Sequence, residues 1–143
     1  MAIWKLPEIN IEILQRQNRG TMLEHLGIDI TELGEDYIKG TMPVDHRTRQ
    51  PMGLLHGGAH VVLAESLGSI AANLCLDNTK AYALGLDINS NHIKSSREGI
   101  VTGIAKPIHI GNKTQVWEIK IVDEKQQLLN ISRLTMMVLS IGN

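Results

Sequence analysis

The spacing of hydrophobic and polar positions changes along this chain, and each change marks an element. Within a run over about 113–122, Trp117, Ile119 and Ile121 fall on one side while Glu118 and Lys120 fall on the other. A period of two belongs to a strand with one covered face and one wet face. Runs over about 81–93, 99–109 and 127–139 are apolar or alternate in the same way. Their breaks are short and polar: Ser96-Arg-Glu-Gly99, Ile110-Gly-Asn112 and Asp123-Glu-Lys-Gln126. Such breaks predict antiparallel hairpins. Two further strands are expected over 28–33 and 36–44, with Gly34-Glu-Asp36 as their turn.

Residues 58–76 follow a different pattern. Val61, Leu63, Ala64, Leu67, Ile70, Ala71 and Leu74 cover nearly the whole circumference of a helix, and Asp77-Asn78 ends it. A helix apolar all round is a buried one. Near the N-terminus, Ile11 and Leu14 recur at helical spacing, so 8–18 reads as a short amphipathic helix stopped by Gly20. Thr21-Met-Leu-Glu24 has the form of a capping box and Gly27 that of a C-terminal cap, which adds a helical turn at 21–26. No internal repeat or linker interrupts the chain, which reads as one domain over 1–143. One long apolar helix among about six strands packs economically only if an antiparallel sheet wraps around it, an α+β layout with a single core.

Composition narrows the class. Apolar residues make up 43% of the 143, enough for a core, and the absence of Phe leaves Ile, Leu, Val, Met and Ala to fill it. A net charge of -1 carries no nucleic-acid footprint, although a local basic patch could still hold a phosphate-bearing ligand. The single Cys75 excludes an internal disulfide and fits a reducing compartment. The opening MAIWKLPEIN lacks the basic and apolar regions of a secretory signal, and no apolar run reaches the ~18 residues of a membrane span. A cytoplasmic protein is expected. The triplets Asn112-Lys-Thr114 and Asn130-Ile-Ser132 are then chance matches to a glycosylation signal.

The chemistry concentrates between Gln50 and Ser69. A loop holding Gln50, Pro51, Met52, Gly53 and His56 leads to a glycine pair, Gly57-Gly58, that opens the buried helix. The first turn of a helix leaves backbone N–H groups unpaired and favours negative charge. With no Cβ in the way, a ligand oxygen can approach that backbone, as an oxyanion hole requires. Glu65 follows two turns later, and Ser69 shares its face. A carboxylate on an apolar helix is costly without a partner or a role. His60 reads as a partly exposed first-turn residue. His56 and His60 are four apart, but the glycines put His56 before the helix and no acidic or cysteine cluster completes a site, so no metal is expected. Cys75 reads as a small core residue. There is no Gly-Xaa-Ser-Xaa-Gly elbow, which argues against a serine hydrolase.

Taken together, Thr41-Met-Pro-Val-Asp45, Arg47-Thr-Arg-Gln50-Pro51, Leu55-His-Gly-Gly58, Leu63-Ala-Glu-Ser66, Gly85-Leu-Asp-Ile-Asn-Ser-Asn-His92 and Gln115-Val-Trp117 resemble the hot-dog-fold acyl-CoA thioesterases of the phenylacetate-degradation and 4-hydroxybenzoyl-CoA type. Within that family the likeness is greatest to the branch that serves menaquinone and enterobactin biosynthesis. The resemblance implies hydrolysis of an acyl-CoA, with an aromatic or medium-chain acyl group and no cofactor. It implies that Glu65 is the nucleophile or the general base for water, and that the Gly57 N–H polarises the thioester carbonyl. Gln50 and His56 would position the thioester, Ser69 would orient water or the acyl group, and His92 would line the acyl or pantetheine arm. It further implies a homodimer with shared active sites, assembled as a tetramer. Coenzyme phosphates call for cations, for which Lys94, Arg97 and the turn at Gly111-Asn112-Lys113 are candidates. Met52 stands where the family often has Phe, which loosens the case for an aromatic acyl group, and Lys94 stands where Arg is common, keeping charge but not bidentate geometry.

Two other classes compete. A hot-dog hydratase or dehydratase would recast His56 and Glu65 as acid and base. A non-catalytic acyl-CoA-binding module usually carries a DNA-binding appendage, and no basic recognition helix precedes this domain.

Overall fold

The computed structural model describes residues 1–142. Nine elements follow in order: α1 Ile11–Gln17, α2 Met22–His25, β1 Asp29–Leu33, β2 Ile38–Pro43, α3 Gly57–Leu74, β3 Ala81–His92, β4 Ile100–Ile110, β5 Thr114–Val122 and β6 Leu128–Ser140. The strands form one antiparallel sheet in the order β1-β2-β4-β5-β6-β3. The helix α3 packs across one face of it, against β2, β3, β4, β5 and β6. Among the described residues no helix is long and apolar enough to cross a membrane.

The alternation in β5 is realised as expected: Trp117, Ile119 and Ile121 are fully buried, and Lys120 is exposed. Each such side chain contributes about 1.5–3 kcal/mol of transfer free energy to the core. Where α3 presses closest, the sheet carries glycine. A Cβ on Gly103 would lie 2.7 Å from Leu67 Cδ1, so a side chain there would force Leu67 to move. Trp4 stacks on Trp117 with ring centroids 6.5 Å apart and donates from Nε1 to the Gly34 carbonyl, tying the N-terminal segment to the core.

Three local expectations need correction. First, Ser96–Gly99 is not a hairpin turn. β4 is flanked by β2 and β5, so β3 has no edge of β4 to join, and it pairs with β6 at the far side of the sheet. Residues 93–99 are instead a crossover, tied by Leu55 N–H to the Ser96 carbonyl and by Val44 N–H to the Gly99 carbonyl. Second, α1 begins only at Ile11, because the Asn10 side chain accepts from Ile13 N–H and fixes the N-cap there. Third, the capping box at Thr21 is shifted. The Thr21 hydroxyl accepts from Leu23 N–H, but Glu24 takes the N–H of Gly20 at 2.6 Å, not that of Thr21.

Candidate active site

Loop 45–56 is irregular but firmly held. Asp45 accepts from the Arg47 backbone and guanidinium, and this pairing holds its carboxyl down at about 2. Buried Thr48 donates to the Pro43 carbonyl at 2.6 Å, and His56 N–H bonds the Thr48 carbonyl at 2.8 Å. Gln50 N–H and the Leu54 carbonyl close a tight turn in which Gly53 has φ +80, a left-handed conformation that suits glycine. The Gln50 side-chain oxygen accepts from Met52 N–H, so its amide NH₂ is left to face a ligand. Met52 itself is exposed at the tip.

His56 is the N-cap of α3. Its Nδ1 accepts from Gly58 N–H at 2.8 Å, which places the ring proton on Nε2. The N–H groups of Ala59 and His60 return to the His56 carbonyl. Among the described residues the Gly57 N–H has no acceptor, so it is the open donor of the helix start. A Cβ at Gly57 would meet His92 Nε2 at 2.9 Å, so the glycine is what lets His92 close on the helix terminus. Gln50, Leu54, Gly57, His60, His92 and Lys94 border one cleft of about 260 Å³.

His92 is backed by a polar network that sequence reasoning missed. Asn130 Nδ2 donates to Ser90 Oγ at 2.8 Å and lies 3.1 Å from His92 Nδ1, while Ser132 Oγ lies 2.9 Å from both Ser90 Oγ and Asn130 Oδ1. Asn130 is fully buried and Ser132 nearly so. The donated bond makes Nδ1 of His92 an acceptor, so Nε2 carries the proton toward Gly57. The signal was present: Asn130 and Ser132 share the inward period of Leu134 and Met136 along β6. A polar residue at a core position of a strand implies a partner.

Glu65 lies half-buried on α3 with its carboxylate over Gly85, where any Cβ would collide with Oε1. The register of β3 against β6 shifts between Gly85 and Asp87, a bulge beside this carboxylate. Among the described residues Glu65 has no ion pair. Ser69, one turn on, borders a different depression with Ile70, Asn73 and Tyr82. Lys94 borders both the Gly57 cleft and an adjoining groove that holds Arg97 and Lys125 but also Glu98, Asp123 and Glu124. The Arg97 carbonyl is clamped by the Arg49 guanidinium. Gly111 and Asn112 are not brought to this cleft. Their turn bonds back to Thr114 and lies beside Val138, at the end of the sheet remote from His92, because antiparallel β4 and β5 carry it there. His60 corrects the sequence reading: it is not partly exposed but 3% exposed, with Nδ1 buried and unpartnered. Burial, with His92 beside it, pushes its pKa down to about 4.

One chain thus carries an open N–H donor at the start of α3, bordered by Gln50, His60 and His92, and a carboxylate two turns along facing β3. The Thioesterase superfamily profile matches residues 52–130, which include Gly57, Glu65 and His92. The chain is 50% identical to a 1,4-dihydroxy-2-naphthoyl-CoA hydrolase of Escherichia coli, over 96% of this chain and 99% of that protein. It is 44% identical to the proofreading thioesterase EntH of Cronobacter turicensis, over 96% of this chain and 98% of that one. A crystal structure of a Haemophilus influenzae thioesterase superposes with a TM-score of 0.95 at 46% identity, covering 99% of this chain and 97% of the other. The chain is therefore a thioester hydrolase of the thioesterase superfamily, with the hot-dog fold that its sequence resembles.

Proposed function

We propose that the chain hydrolyses an acyl-CoA to the free acid and CoA, and that Glu65 is its central catalytic group. The observation that carries this reading is the single unpaired N–H of Gly57, at a helix start whose other early donors are satisfied. A thioester carbonyl oxygen seated there would gain negative charge against a fixed donor and the helix dipole. The Gln50 amide and the His92 Nε2–H border the same cleft and add donors around that oxygen, with His56 holding the helix start through its Nδ1. Glu65 then acts on the acyl carbon directly or through water, and Ser69 orients the group that it meets. No step calls for a metal or a cofactor.

The substrate we assign is an aromatic acyl-CoA of the 1,4-dihydroxy-2-naphthoyl kind, for which the Escherichia coli relative is named, and the setting is menaquinone biosynthesis. Lys94 borders the cleft, and Arg97 the adjoining groove, where the coenzyme phosphates would lie. The working unit is a homodimer with shared sites, paired into a tetramer. The buried, unpaired thiol of Cys75 suits a cytoplasmic setting.

Thiol release from a panel of acyl-CoAs tests the proposal. Release from an aromatic member above all supports it. A double bond formed or lost in enoyl or 3-hydroxyacyl substrates, without thiol release, overturns it.

A further inference from the structure

His60 is the one side chain of the cleft with no structural account. It sits one turn into α3, 3% exposed, where the neighbouring core positions are Ala59, Leu63 and Ala64. Among the described residues neither ring nitrogen has a hydrogen-bond partner, and only Nδ1 is sealed from solvent. A buried polar group left unpaired costs about 1–3 kcal/mol, so an apolar side chain would serve the fold better here. The cost falls if the sealed nitrogen is the lone-pair one, since an orphaned acceptor is more readily tolerated than an orphaned N–H. That tautomer puts the proton on Nε2, the nitrogen that still reaches the cleft.

The surroundings say what Nε2–H could meet. The His92 ring lies 5.7 Å away, tilted by 40°, and presents its own Nε2–H to the Gly57 end. Burial keeps His60 neutral at pH 7, so the pair offers two uncharged donors. Uncharged donors in a half-apolar cleft suit amide or ester carbonyls better than phosphate. The cleft runs outward past Leu54 and Ile93 to Lys94 and Ser95, which also border the cation-bearing groove. A ligand with its reacting carbonyl at Gly57 and its phosphates at that groove would run its amide-bearing arm along this cleft, which His60 also borders.

We propose that His60 is a specificity-determining residue that donates from Nε2 to an amide carbonyl of the pantetheine arm. This rests on the acyl-CoA reading above, and it is tested by binding so that it does not depend on turnover. The probe is a non-hydrolysable S-alkyl-CoA thioether, titrated calorimetrically into the parent protein, His60→Leu and His60→Gln. Leu fills the space without a donor, and Gln returns an N–H near the position of Nε2. A net hydrogen bond of about 0.5–1.5 kcal/mol predicts that His60→Leu binds roughly two- to twelvefold more weakly and that His60→Gln recovers most of the loss. A truncated S-alkyl thioether lacking the pantetheine amides should not distinguish the variants. Equal affinity of parent and His60→Leu overturns the proposal, as does a Gln variant no better than Leu, which would mark the ring as packing only. A melting temperature for His60→Leu at or above the parent's at pH 7 shows that weakened binding is not misfolding. Parent protein that binds the thioether but hydrolyses no acyl-CoA would refute the hydrolase reading and leave the His60 contact standing. Parent protein that binds no thioether refutes both.

Discussion

Glu65 and Asn130 are polar residues at positions where the chain is otherwise apolar, and they are accommodated in different ways. Asn130 is fully buried and spends its side chain on Ser90, Ser132 and His92. Glu65 stands beside Gly85 with no ion pair among the described residues, as the proposed reacting role requires. Asn130→Ala should therefore cost about 1–3 kcal/mol, read by urea unfolding, because it strands its buried partners. It should also lower activity by releasing His92. His60 supplies a pH signature. Its pKa of about 4 lies below the ordinary 6.5, because burial penalises the imidazolium and His92 faces it. Between those values the unfolded chain takes up a proton that the folded chain refuses. Stability should fall as pH drops from about 6.5 toward 4. Thermal melts of His60→Leu over the same range should show a shallower decline. At the residue scale the sequence exposed Glu65, because a lone charge on an apolar helix stands out. It hid His60, whose burial depends on His92 arriving from a strand 32 positions later.

At the scale of elements, the period-two and all-round apolar patterns placed every strand and the central helix to within a few residues. Those patterns are local, and local side-chain period is what a strand or helix responds to first. Pairing is not local. Nothing between Ala81 and Gly99 reveals that β3 leaves its sequence neighbour for β6, because that depends on β2 and β5 taking both edges of β4. The start of α3 joins both levels. The Gly57-Gly58 pair was legible as a helix start open to a ligand, but the tertiary demand on Gly57, contact with His92, was not. Gly57→Ala tests that demand. Alanine is the better helix former by up to about 1 kcal/mol, so the fold should hold or gain slightly. The new Cβ, 2.9 Å from His92 Nε2, should displace that ring and cut turnover. Circular dichroism and thiol-release kinetics on the same preparation separate the two effects.

For the whole molecule, one chain carries the parts of a site without enclosing it. The Gly57 cleft, about 260 Å³, falls just below the usual ~300–1,000 Å³ of ligand pockets. Ser69 and Glu65 are not among the residues that border it. β3, which carries Gly85 opposite Glu65, is an edge strand with Leu84 and Leu86 more than half exposed. An apolar free edge is a surface that a second chain can cover. Leu86→Asp should weaken self-association in sedimentation velocity and remove activity in parallel, with Glu65 unchanged. Activity that persists in a purely monomeric variant would contradict a shared site.

The most direct test is thiol release from 1,4-dihydroxy-2-naphthoyl-CoA and other acyl-CoAs by the parent protein and Glu65→Gln, with binding of the acid product measured alongside. Glutamine is nearly isosteric and keeps the packing against Gly85. The account predicts release by the parent, a loss of at least about a hundredfold in kcat for the variant, and unchanged product affinity. Hydrolysis by Glu65→Gln at the parental rate would contradict it.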